Sequence, residues 1–284
     1  MDGVTLGKSL GVDIGGSTIR VGLFDGDDLL KLISKPLDSS LEKDVLISFV
    51  LETIDELFNE EVYSIGIGVP DVDVKSGIIY SANNIPSWDE VPLKKLVEDK
   101  FGVEVFVNND ANCFVLAEKY SEKGKAIDYE NVVGLITGTG FGAGIIINDK
   151  LYEGANGFSG EFCDLPYLEG RLEDYVSGNF FKMNETTGEE IYSLMNEKDS
   201  SAGVLLDRYA QHIANAIAMV VDILDPEMIV IGGGLSSLFE FYKDAMKVEL
   251  KKLLRENVYE NLKIEVSVVE DFGVVGANLL SLNL

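Results

Sequence analysis

Sulfur and imidazole are scarce in this sequence. Two cysteines and one histidine stand among 284 residues. Cys113 and Cys163 lie far apart, and neither belongs to a metal-type pair. They read as reduced thiols of a cytoplasmic protein. A single histidine removes multi-histidine metal chemistry and makes Ser-His-Asp catalysis a poor reading. His212 sits in a helical pattern with Ile213, Ala216 and Val220, so it reads as a packed or surface helix residue. Positive charge is also scarce: 23 Lys and Arg against 49 Asp and Glu give a net charge of −26. A nucleic-acid backbone calls for a basic surface, and no helix-turn-helix pattern precedes the first strand. Nucleic acid is therefore not an expected partner. Long apolar runs are missing too. The longest, Ala214–Ile223, is interrupted by Asp222, whereas a membrane span takes about 20 apolar residues. Met1–Lys8 lacks the layout of an export signal. No membrane partner is expected, and the expected location is cytoplasmic.

A 46% hydrophobic content is enough for one large domain or two modest ones. Apolar alternation predicts strands over Ser9–Asp13, Thr18–Phe24 and Lys31–Leu37, then a buried strand over Tyr63–Val69. Helices are predicted over Lys43–Phe58, Pro92–Phe101 and Asp110–Ser121, with a strand at Glu104–Val107 between the last two. The acidic stretch Glu52–Glu61 reads as a solvated helix face. A long helix, Ala202–Leu224, should stop at Asp225-Pro226, because proline cannot continue it. Met228–Ile231 and Lys263–Val268 read as strands, and Leu238–Arg255 and Val275–Leu282 as helices. Strands alternating with helices indicate an α/β protein.

The pattern restarts partway along. Leu10–Asp25 reads LGVDIGGSTIRVGLFD, and Val133–Asn148, offset by 123 residues, reads VGLITGTGFGAGIIIN. Each is an apolar strand, a glycine-rich turn and a second apolar strand. This is a degenerate internal duplication. It suggests two similar α/β domains facing each other around a central cleft. The expected division is 1–112 with the C-terminal helix 272–284 as a small domain, and 113–271 as a large one.

Three glycine-rich turns follow apolar strands: Asp13-Ile14-Gly15-Gly16-Ser17, Thr137-Gly138-Thr139-Gly140-Phe141-Gly142 and Gly232-Gly233-Gly234. Glycine lets backbone N–H groups approach a phosphate closely. Any one such turn alone has a structural reading in a hairpin; three together are more specific. None continues into the Gly-Lys-Ser/Thr of a P-loop. No GxGxxG turn opens a helix in a first βαβ unit, so a nicotinamide site is a poor reading. Asn108-Asn109-Asp110-Ala111-Asn112 follows a strand, where α/β proteins place their sites. Asp110 reads equally as a helix N-cap.

These segments together resemble, in order and over nearly the whole chain, the ROK family (repressors, open reading frames, kinases) of sugar kinases. Asp13–Ser17 looks like its first phosphate loop, with serine for the usual threonine. Ala82–Trp88 (ANNIPSW) looks like the sugar-side loop, with Ser87 where glycine is usual. Asn108–Asn112 looks like the segment that holds the family's catalytic aspartate, and Gly138–Gly144 looks like the second phosphate loop. Gly160-Glu161 and Leu172–Gly178 look like the sugar-binding segments, Ile231–Gly234 like the adenosine loop, and Gly273–Leu280 like the closing helix.

The resemblance implies the actin-like ATPase (ribonuclease H-like) fold and an ATP-dependent, glucokinase-type phosphotransferase making a sugar phosphate. It implies Asp110 as general base, with Asn84, Asn109, Glu161 and Glu173 on sugar hydroxyls. Gly15, Gly16, Ser17, Gly138, Thr139 and Gly140 would surround the ATP phosphates. Gly233 and Gly234 would lie against adenosine, and Asp13 would help place Mg²⁺ through water. The partners implied are ATP and a small sugar; a homodimer through the apolar C-terminal helices stays open.

Two further departures from the family are important. Asp164 stands where the family has histidine, and Cys163 where it has glycine. The cysteine-rich zinc loop is reduced to Leu165–Arg171, which has no cysteine. Four Cys/His ligands are absent, so no structural zinc is expected. Asp164 would accept from a sugar hydroxyl or face solvent in a trimmed loop. Trp88 would stack on a sugar or close a core. Two other readings stay open: a non-catalytic sugar sensor and an actin-like filament protein.

Overall fold

The computed structural model describes residues 7–80 and 85–282. The chain folds as two compact units. The first is Met1–Gly124 with Leu151–Ser159 and Val269–Leu284; the second is Lys125–Lys150 with Gly160–Val268.

In the first unit, β1 (Lys8–Ile14), β2 (Thr18–Asp25), β3 (Asp28–Pro36), β4 (Val62–Gly68) and β5 (Glu104–Asn108) form a sheet of order β3-β2-β1-β4-β5. The β1–β2 and β2–β3 pairs are antiparallel; β1–β4 and β4–β5 are parallel. Leu10, Val12, Ile14, Ile19, Val21, Ile65 and Ile67 are fully buried. The helix Lys43–Asp55 lays Leu46, Val50 and Ile54 into the same core, four residues apart and hence on one face. Val45, one residue before Leu46, is exposed. Trp88 is 1% exposed and belongs to this core, so of its two readings the packing one holds.

The helix Phe272–Leu279 belongs to this unit and packs on glycines. A Cβ at Gly11 would stand 2.2 Å from the Val274 carbonyl oxygen, and one at Gly66 would stand 1.8 Å from that of Ala277. On the helix itself, a Cβ at Gly276 would lie 1.7 Å from the carbonyl oxygen of Cys113, on the helix Asp110–Tyr120. Buried Ser9 donates to Asn278 Oδ1 at 2.6 Å, which fixes the helix's position along β1.

The second unit repeats this plan. β6 (Val132–Thr137), β7 (Phe141–Ile147), β8 (Lys150–Leu151), β9 (Met228–Gly232) and β10 (Lys263–Val266) run in the order β8-β7-β6-β9-β10. Again the hairpin strands are antiparallel, while β6–β9 and β9–β10 are parallel. The register refines the duplication. Gly11 pairs with Gly22, and Gly134 with Gly144. The first strands are thus 123 residues apart (Gly11 to Gly134) and the second strands 122 (Gly22 to Gly144), because the second turn is one residue shorter. An ungapped match would place every side chain of β7 on the wrong face.

The helix Ser200–Leu224 is capped by Asp199, whose carboxylate accepts from Ser201 N and Ala202 N. It ends at left-handed Asp225, φ 46°, before Pro226. The expected helix Leu238–Arg255 is observed as Phe239–Leu253, preceded by a 3₁₀ turn Gly234–Leu238 and followed, after extended Leu254 and Arg255, by a short helix Glu256–Asn261. The expected Val275–Leu282 helix starts earlier, at Phe272, and finishes as a 3₁₀ turn over Leu280–Leu282. Among the described residues no helix is long and apolar enough to cross a membrane.

Candidate active site

In the first unit, β5 ends at Asn108 and the next helix begins at Asp110. Two cap-forming residues stand side by side there, and Asn109 takes the cap. Its backbone is extended, and its Oδ1 accepts from Ala111 N at 2.8 Å. Asp110 is the first helical residue. Its carboxylate also takes a hydrogen bond from Ala111 N, at 2.9 Å, but the capping position is filled without it. Burial pushes the Asp110 carboxyl above the ordinary range; the Ala111 N–H opposes this and the Asp71 carboxylate adds to it. Cys113, one turn on, is buried, and its thiol is pushed well up by burial and by Asp13 and Asp110. It behaves as a packed, unreactive thiol.

Asp13 faces Arg20 across the β1–β2 pair. Its carboxyl is pushed up to about 6, first by burial and then by the Asp110 charge; Arg20 opposes. Arg20 in turn contacts Asp271 at 3.2 Å. The Asp13 carboxyl lies against the start of the C-terminal helix: a Cβ at Gly273 would stand 2.6 Å from its Cγ. A raised pKa means that the protonated form is favoured on folding. That stability is full below the unfolded value near 4 and is lost as pH rises through about 6. Asp13→Asn is therefore expected to raise the melting temperature of the ligand-free protein at pH 7.5, by up to roughly 2–3 kcal/mol of stability. The gain should vanish at pH 4. Thermal unfolding at the two pH values checks this.

The glycines of the three loops divide into two kinds. Gly233 has φ 87°, and a Cβ there would meet the Thr137 carbonyl oxygen at 2.4 Å, so the fold itself demands glycine. Gly140 is confined at 3.0 Å by the Glu173 carboxylate. Gly15, Gly138 and Gly234 are different. None has a positive φ; a Cβ at Gly15 or Gly138 would meet nothing nearer than 3.5 or 3.7 Å, and at Gly234 nothing within 4 Å. Their own fold does not require glycine: an added Cβ would make only ordinary contact at Gly15 and Gly138 and would meet open space at Gly234. Ser17, in the first loop, is exposed.

In the second unit the Gly138 and Gly234 loops adjoin, and Gly178 N donates to the Gly138 carbonyl at 2.7 Å. With Thr139, Lys182, Thr187, Glu189, Tyr192 and Leu235 they line a cavity of about 540 Å³. Lys182 and Tyr192 escaped the sequence reading. Their helices, Gly178–Met183 and Gly188–Asn196, are short. One signal was legible: Thr187-x-x-Glu190 forms a capping box, Thr187 Oγ1 accepting from Glu190 N at 3.2 Å.

Glu161, Asp164 and Glu173 also belong to the second unit. Glu173 Oε2 accepts from Phe141 N at 3.1 Å, so this carboxylate is tied to the glycine loop. Glu161 is exposed, and Cys163 Sγ donates to it at 3.4 Å. Asp164 is 61% exposed and pairs with Arg171 at 2.8 Å. Glu161, Cys163 and Asp164 offer three ligand atoms within 4.8 Å of one another, but two are exposed carboxylates and histidine is absent. That set does not fit a tetrahedral zinc site. The trimmed stretch folds as a tight hairpin, Pro166–Tyr167 against Gly170–Arg171. The Tyr167 hydroxyl meets His212 Nδ1 at 3.1 Å. Burial and then Arg208 lower the His212 pKa. Asn84 and the start of the Ala82–Trp88 segment lie outside the described residues.

The family model for the ROK family matches residues 9–283. A glucokinase of Thermotoga maritima is 28% identical, with 95% of this chain and 96% of that protein covered. An N-acetyl-D-glucosamine kinase of Yersinia enterocolitica is 30% identical, covering 96% and 99%. Among solved structures, a ROK hexokinase of Thermus thermophilus superposes with a TM-score of 0.83 at 27% identity, covering 96% and 97%. Two five-stranded sheets of one order, three glycine loops at matching strand ends and a family match over nearly the whole chain place this protein in the ROK family, with its actin-like ATPase fold.

Proposed function

We propose that this chain is an ATP-dependent sugar kinase that transfers the γ-phosphate of MgATP to a hexose hydroxyl, the 6-hydroxyl of glucose or of a related hexose or N-acetylhexosamine. The observation that carries this reading is that the fold itself would accept a Cβ at Gly15, Gly138 and Gly234. Glycine at three strand-end turns that do not themselves need it leaves room for phosphate oxygens on backbone N–H groups.

Asp110 is the general base: it sits where its side chain is not needed as the cap, and its raised pKa brings it nearer the working pH. A hydroxyl is a poor nucleophile, and a carboxylate that accepts its proton makes it a better one. Asn84, Asn109, Glu161 and Glu173 hold sugar hydroxyls, each of which both donates and accepts. Glu173 also ties that duty to the phosphate loop through Phe141 N. Asp164, paired with Arg171, is a weaker candidate. Gly15, Gly16 and Ser17 take phosphate in the first unit. Gly138, Thr139 and Gly140 do so in the second, where the cavity beside Gly233 and Gly234 takes the nucleoside.

Asp13 is a hard oxygen donor suited to Mg²⁺. When bound, the ion neutralises phosphate charge. No zinc is part of this reading, so a zinc chelator is expected to leave the melting temperature unchanged; a clear drop would point to a metal at Glu161, Cys163 and Asp164.

Release of ADP from MgATP against a panel of hexoses and N-acetylhexosamines tests the proposal. Turnover on at least one sugar supports it. Sugar binding without turnover on any would favour a sensor.

A further inference from the structure

Glu153 lies in the short segment Leu151–Ser159, outside every motif of the sequence reading, yet it reaches the strand end that carries the catalytic loop. Its Oε1 accepts from Asn108 Nδ2 at 2.7 Å. Asn108 is 3% exposed, and its Oδ1 accepts twice: from Asn109 N at 2.8 Å and from Asn112 Nδ2 at 2.8 Å. One buried amide is thus anchored by Glu153 at its nitrogen, and from its oxygen it grips both ends of the turn in which Asp110 stands. A flipped Asn108 would set its oxygen against the Glu153 carboxylate, and its amide nitrogen against Asn109 N. The carboxylate therefore fixes the orientation of the amide.

The segment that presents Glu153 is itself held to the first unit. Lys75 Nζ donates to the Ala155 carbonyl. Gly157, at φ 81°, lies so close to Val74 that a Cβ would approach its side chain to 3.2 Å.

We propose that Glu153 is a positioning residue for the general base, acting through Asn108 on the Asn109–Asn112 turn and on the angle at which Asp110 leaves it. The proposal rests on the kinase reading for its kinetic consequence, though not for the geometry. A misplacement of about 1 Å in a reacting group costs about 10²-fold in rate. Glu153→Ala is therefore expected to lower kcat by about 10- to 100-fold, with the KM for ATP unchanged. Glu153→Gln keeps an acceptor at the same reach and should restore kcat to within about 3-fold of wild type, because orientation rather than charge is the function.

The test measures kcat and both KM values for wild type, Glu153→Ala and Glu153→Gln. Amide hydrogen exchange of the same full-length proteins is followed by mass spectrometry. In Glu153→Ala the peptide spanning residues 108–113 should exchange about 10-fold faster, while the helix Lys43–Asp55 exchanges as before. Wild-type kcat together with unchanged exchange in Glu153→Ala would overturn the proposal. Failure of Glu153→Gln to rescue, or faster exchange throughout the first unit, would overturn it as well. If wild type turns over no sugar, the kinase reading fails, and the exchange of residues 108–113 decides the positioning role by itself.

Discussion

Asp110→Asn is expected to lower kcat by about 10²- to 10⁴-fold while leaving the KM for ATP near its wild-type value. The amide is nearly isosteric and still accepts from Ala111 N, and Asn109 continues to cap the helix. The fold should therefore survive, and the loss should report the proton acceptor alone. The pH profile separates this from a packing effect. A general base works deprotonated, and the Asp110 pKa is raised, chiefly by burial. Wild-type kcat should therefore fall on acidification at a higher pH than an ordinary aspartate would give. That acid limb should be missing from the residual activity of the variant. Steady-state kinetics across the pH range, with unfolding curves for both proteins, checks both statements. Undiminished turnover in Asp110→Asn would remove the residue from the mechanism.

The second large effect is on stability and carries its own control. Gly276→Ala would force a Cβ to within 1.7 Å of the Cys113 carbonyl oxygen. The obstacle is backbone inside a helix rather than a flexible side chain, so one of the two helices must shift. Overpacking of this severity is expected to cost on the order of 3–5 kcal/mol. Gly203 has the opposite environment: it sits within the helix Ser200–Leu224, with nothing inside 4 Å of an added Cβ. Gly203→Ala should stabilise by about 0.5–1 kcal/mol. Urea unfolding of the pair measures both signs at once. A Gly276→Ala protein as stable as wild type would mean that the C-terminal helix is not seated in the groove described.

Much of this arrangement could be read from local pattern. The hairpins β1–β2 and β6–β7 were legible because period-two alternation and glycine turns are short-range signals. Their repetition pointed to two like units before any coordinates. The long helix Ser200–Leu224 was legible from its length, its apolar face and the Asp225-Pro226 stop. What local pattern could not give was choice between neighbours and contact across long separations. Asn109 and Asp110 are both good caps; the point where β5 ends decides between them. Strand pairing reveals the missing residue in the second turn, because an ungapped match looks equally apolar. Trp88 reads as a core residue only once the strands around it are placed. Glu153 gave no signal because its meaning depends on Asn108, far away in the chain. The helices between Leu172 and Asn196 are only five, six and nine residues long, too short for a helical period to repeat.

The most direct test of the central claim is phosphorus NMR of MgATP with each of a panel of hexoses and N-acetylhexosamines, glucose and N-acetylglucosamine first, in the presence of the purified protein. ADP and a new sugar-phosphate resonance should grow together with at least one of these sugars, and about 10²- to 10⁴-fold more slowly with Asp110→Asn. ATP left intact with every sugar of the panel, by a protein that is folded and binds nucleotide, would contradict the claim.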